Sequence, residues 1–195
     1  MGGSMELRVI TNPINGTGPA KRLLSNLFYG CGYNFYRFDN ELLADDLLIR
    51  GKLSQLLREC RAHLTSLEAA FRREHRGASG GDYAFLSPAA VATAQALLNA
   101  QRDLDAMETA IRNAVVPEFT RFHKRGELRG ELRGALAELV MLDGEVVLAL
   151  VTLRDAVAKL ANGAAAAARM DELLRASDFG ALWGRRETLL AGEVA

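Results

Sequence analysis

Three histidines and two cysteines are the chain's whole supply of imidazole and thiol in 195 residues. The cysteines, Cys31 and Cys60, make no disulfide framework, and so few of them suggest a reducing compartment. No Glu-x-x-His spacing occurs anywhere, which excludes the paired carboxylate–histidine motif of ferritin-like di-metal bundles. Charge of one sign is lacking too. The 24 basic and 24 acidic residues cancel, leaving no global field for nucleic acid or an anionic membrane. Nor is there a long clean apolar run. The most apolar stretch, 135–153, is interrupted by Glu138, Asp143 and Glu145, and charges inside a membrane span are expensive. With no basic segment leading into an apolar secretion signal, the expectation is a cytoplasmic protein that binds neither membrane nor nucleic acid.

Aromatic residues are scarce and unevenly placed. Of thirteen in the chain, Phe28, Tyr29, Tyr33, Phe35, Tyr36 and Phe38 fall within the fifteen residues "NLFYGCGYNFYRFDN". The remainder is ordinary globular material, 49% hydrophobic and 25% charged. Its length suits one domain with an extension and a core that needs no metal to form. The opening "MGGSM" reads as a cloning remnant over 1–4, ahead of a native start at Met5.

Proline marks the organisation. Pro19, Pro88 and Pro117 each precede a helix-like run, where the missing N–H costs nothing at the first helical position. The spacing predicts a short element at 18–28, long helices at 40–76, 87–115 and 117–161, and short ones at 168–176 and 181–191. Each long helix carries apolar residues at alternating steps of three and four. The first runs Ile49, Leu53, Leu56, Cys60, His63, Leu67 and Ala70, with Leu57, Leu64 and Phe71 as a second row. Two rows favour a multi-helix bundle over a two-stranded coil. Asp39, Glu41, Asp45 and Asp46 at the start of the first helix suit its dipole. The one convincing strand candidate, "ELRVIT" at 6–11, has no partner. The predicted fold is all-α: an antiparallel helical bundle of three long helices, with short terminal helices and an irregular aromatic-rich N-terminal arm. The arm covers 5–39, the bundle 40–161 and the short helices 162–195. A dimer is the expected route to a four-helix bundle.

Four constellations are candidates for chemistry. In "LRVITNPINGTGPAKRLL", Gly16, Gly18, Lys21 and Arg22 sit where a glycine loop and helix start cradle phosphate. An ordinary turn capping a short helix explains the same residues. The "NP" and its glycine loop resemble the opening of the diacylglycerol/sphingosine lipid kinase catalytic domain, over fewer than twenty residues. That resemblance implies an α/β nucleotide-binding fold, and the helical remainder after "SGGDYA" departs from it. Glu59 and His63, four apart in the apolar row, are candidate metal ligands, with a hydrogen-bonded structural histidine as the alternative. Gly126, Gly130 and Gly134, spaced by four, would line a groove for close helix contact, or mark a break in the helix. Cys31 has no base near it in sequence, and Cys60 reads as a small buried hydrophobe.

The aromatic residues of the arm supply large contact area at low entropic cost and are the expected partner-binding residues. Docking back onto the bundle is the alternative. No catalytic constellation stands out, and no cofactor is favoured. The expectation is therefore a non-enzymatic protein–protein interaction or assembly protein, with a protein partner. A metal- or ligand-binding bundle around His63 and Glu59 is the second reading, and a phosphate- or nucleotide-binding module through 15–22 the third.

Overall fold

The computed structural model describes residues 39–75, 86–114 and 129–191, which are helical apart from short turns and helix ends, with no strand among them. Five helices follow in order: α1 Asp39–His75, α2 Pro88–Asn113, α3 Arg129–Ala158, α4 Gly163–Ala176 and α5 Phe179–Ala191. The aromatic arm, the phosphate-loop candidates Gly16, Gly18, Lys21 and Arg22, the 6–11 segment and Gly126 lie outside the described residues.

Local chemistry sets the helix ends. Ser87 is the N-cap of α2, its Oγ accepting from the Ala90 N–H at 3.2 Å, with Pro88 at the first turn. Asn162 caps α4 in the same way, its Oδ1 accepting from the Ala165 N–H at 2.9 Å. α4 therefore starts at Gly163 rather than at the expected 168. The apolar periodicity begins late there, but the cap and the alanine run, the best of helix formers, start the helix earlier. α3 closes at Ala158 in a tightened turn, where the Leu160 N–H donates to Val157 O at 3.0 Å. Gly130 and Gly134 lie inside the α3 backbone. At the corner between α4 and α5, Asp178 adopts φ 50°, a left-handed conformation that Asp tolerates better than most residues.

Cross-helix pairs fix the directions. Arg50 reaches Ala114 O, and Arg61 meets Asp105 at 2.9 Å, so α1 and α2 run oppositely. Glu59 faces Arg154 and His63 faces Leu160, so α1 and α3 run the same way. α4 packs on α1, α2 and α3, while α5 packs on α3.

The core is the meeting line of the apolar rows. Ile49, Leu53, Leu56, Leu57, Cys60 and Leu64 of α1 are buried against Leu97, Ala100, Leu104 and Ile111 of α2 and Val146, Leu150, Leu153 and Val157 of α3. His63 and Ala70, in the same row of α1, are only half-buried. The alanines Ala90, Ala94 and Ala100 are buried too, and their small side chains let α2 approach its neighbours closely.

Gly163 answers a space requirement at the start of α4. A Cβ there would stand 2.7 Å from Phe71 Cβ and 3.0 Å from its Cγ. Phe71 is buried and stacked on His75, with centroids 4.0 Å apart, so it has little room to yield. Gly163→Ala is expected to destabilise the fold by about 1–3 kcal/mol, the ordinary range for overpacking. A shift of the urea midpoint at unchanged m-value checks it.

Candidate functional site

The most polar part of the interior joins four helices. Arg186 of α5 is fully buried. Its Nε donates to Asp143 Oδ1 of α3 at 2.5 Å, and its Nη2 donates to Asp46 Oδ1 of α1 at 2.6 Å. Asp46 Oδ2 in turn lies 2.7 Å from Arg50 Nε, one turn along α1. Arg50 Nη1 donates to Ala114 O at 2.6 Å and to Ile111 O at 3.2 Å, satisfying carbonyls that the end of α2 leaves without helical donors. The guanidinium of Arg186 also stands 4.9 Å over the ring of Trp183, which stacks on Phe179.

Two carboxylates and two guanidinium groups balance in this network, with Asp45 buried next to them in sequence. The hydrogen bonds are charge-assisted and close, which is what makes buried charge tolerable. Each of the two carboxylates is engaged by arginine, so neither is presented as a free base. What the arrangement does is hold α5 in one register against α1 and α3. The sequence placed Asp45 and Asp46 at the start of α1, where acidic side chains suit the dipole, and named no partner for them. In the structure both are fully buried, and Asp46 pairs with Arg186 and Arg50.

Sequence reasoning missed Arg186 and Asp143 as a pair, although a signal existed. Phe179, Trp183, Arg186 and Leu190 are spaced 4-3-4 and are the buried residues of α5. Leu139, Asp143, Val146 and Leu150 carry the same spacing on α3. A charge on an apolar row points to a partner charge on a facing row.

His63 and Glu59, one turn apart on α1, each contact another group. His63 Nε2 lies 3.1 Å from Leu160 O, and a carbonyl only accepts, so that nitrogen carries the proton and donates. The bond secures the corner between α3 and α4. Glu59 Oε1 accepts from Gln55 Nε2 at 2.9 Å, and its Oε2 lies 3.6 Å from Arg154. Among the described residues no group of three or more His, Cys, Asp or Glu gathers to hold a metal ion. Cys60 is buried in the core, as its place in the apolar row suggested.

Burial, reinforced by Glu59, pushes the Cys60 thiol up from 9.0 to about 11. The thiol is therefore protonated at neutral pH and unsuited to nucleophilic work. In the unfolded chain it ionises near its ordinary value. The folded state then binds the extra proton, and stability falls as pH rises from about 9 to about 11. The loss is about 2–3 kcal/mol at most, at 1.36 kcal/mol per unit. Cys60→Ala should remove this dependence, so the stability difference between wild type and variant is expected to shrink by that amount across the interval in urea titrations.

On the outer side of α3 a groove of about 380 Å³ runs between α3, α4 and α5. Leu148, Ala149, Leu153 and Ala156 line it from α3, Leu173 and Ala176 from α4, and Leu182 from α5, with Glu145, Thr152 and Ser177 as polar groups. Leu148 is 40% exposed, and Met141, two turns earlier on the same face, is 52% exposed. No helix among the described residues is long and apolar enough to cross a membrane. Comparisons with protein families, with curated proteins and with solved structures find no match to this chain.

Proposed function

We propose that this chain is a non-enzymatic interaction or assembly protein, a bundle of three long helices and shorter ones that binds a protein partner. The groove on α3, α4 and α5 is the observation that supports this reading. Leu148, one of the exposed large apolar side chains, lines this concave surface, and exposed Met141 lies two turns earlier on the same helix. Concave apolar surface with a few polar groups at its edge is where a soluble helical protein takes up a partner's helix or side chains. The aromatic residues 28–38 supply a second contact surface of the kind that interfaces favour.

Affinity capture from the native host with the full chain tests the reading. Wild type and Leu148→Glu are compared by quantitative mass spectrometry. A protein enriched by wild type and lost with the variant is expected, because a carboxylate set into the groove must be desolvated by any partner that covers it. An identical set of captured proteins would count against the groove.

A further inference from the structure

We propose that the groove between α3, α4 and α5 is the seat of the chain's own aromatic segment, residues 28–38, bound within the same molecule. The inference rests on the groove being a recognition surface and adds its occupant in the absence of a partner. The segment joins the described structure at Asp39, the first residue of α1. Asp46 and Asp143 share Arg186, so the start of α1 lies level with the part of α3 that leads into the groove at Glu145. Because α1 and α3 run the same way, the level of Leu148 lies about 18 Å back along the bundle from Asp39, at 1.5 Å per residue. Ten extended residues span about 33 Å, so a segment of this length reaches the groove with slack for crossing the surface.

The chemistry of the two surfaces agrees. The described helices contain three aromatic residues, Phe71, Phe179 and Trp183, all buried, and none of them lines the groove. Its apolar lining is leucine and alanine, Ala149, Ala156 and Ala176 among them, side chains against which an aromatic ring packs. Glu145, Thr152 and Ser177 at the edge offer acceptors to tyrosine hydroxyls. Met141, exposed two turns before Leu148 on α3, lies toward the end of the bundle from which the segment sets out. A partner that uses the groove then displaces the segment, so the segment acts as a built-in competitor.

A nitroxide on Cys31, within the segment, tests this in the full chain. Cys60 is buried, so labelling at neutral pH falls on Cys31. Paramagnetic broadening of backbone amides is expected around Glu145–Thr152 and Leu173–Leu182, with the amides near Arg61 and Asp105 spared. It should vanish in Leu148→Glu, and equally in Thr152→Lys, a substitution at an exposed position that serves should the first variant not fold. Broadening elsewhere, or nowhere, overturns the proposal. A sample mixing isotope-labelled chains without nitroxide and unlabelled chains with it should show no broadening. Broadening of the groove there would assign the seat to a second copy and overturn the proposal as well. The two readings fail separately. A silent groove in this experiment alongside partner loss in Leu148→Glu removes the competitor and leaves the interaction function standing. A broadened groove with an unchanged captured set does the reverse.

Discussion

Arg186→Met is expected to lower the unfolding free energy by about 3–5 kcal/mol, the range for removing one member of a buried ion pair. The methionine fills much of the space, so a cavity is a minor part of the loss. The larger part is the pair of carboxylates left behind. Asp143 loses its 2.5 Å donor from Arg186, and Asp46 loses its 2.6 Å donor while its ion pair with Arg50 remains. A second substitution, Asp143→Leu, removes one of the two carboxylates that Arg186 balanced. The double variant is therefore expected to be more stable than the sum of the two singles by roughly 0.5–3 kcal/mol, the usual size of coupling between contacting residues. Equilibrium urea unfolding of the four proteins provides the cycle. Amide exchange gives the local counterpart: α5 should lose protection first, since the Arg186–Asp46 ion pair ties it to α1.

Leu53→Ala should cost about 2–5 kcal/mol, as buried leucine truncations do. Leu53 is fully buried in the middle of α1, where the rows of the neighbouring helices meet. Neighbouring backbones there belong to long helices that cannot collapse into the void, which places the loss in the upper part of that range. The same change at Leu47, 57% exposed near the start of α1, should move stability by no more than about 0.5 kcal/mol. A comparable loss at both positions would mean that the apolar row of α1 does not face the core as described.

The helices were legible in the sequence because the rule that makes them is local. A row of apolar residues at steps of three and four is visible without knowing the partner, and Ser87-Pro88 announces a start by its own chemistry. The α4 start was harder. Alanines carry almost no periodic signal, so Asn162 was the only local mark of Gly163 as the first residue. The buried network illustrates the opposite case. Asp46, Asp143 and Arg186 are separated by about a hundred and forty positions from first to last, and their pairing exists only after three helices have packed. Asp143 did stand out, as an interruption of an apolar run, and was read as evidence against a membrane span rather than as half of a buried pair. His63 shows a milder version. Its position in the row was evident, but its partner is a main-chain oxygen beyond the end of α3, which no side-chain pattern can announce. The groove was not legible at all, because it is a shape left between three helices rather than a property of any one of them.

Those two features belong together. Leu182 forms one wall of the groove, and one turn later on the same helix Arg186 anchors α5. The network thus fixes the geometry of the surface proposed to receive a partner.

The most direct measurement follows from that. An isotope-labelled wild-type chain is titrated with the protein it captures, and the perturbed backbone amides are mapped onto the fold. The account predicts that the changes converge on Glu145–Ala156, Leu173–Ser177 and Leu182. Changes confined to the outer faces of α1 and α2, with those residues unmoved, would contradict it.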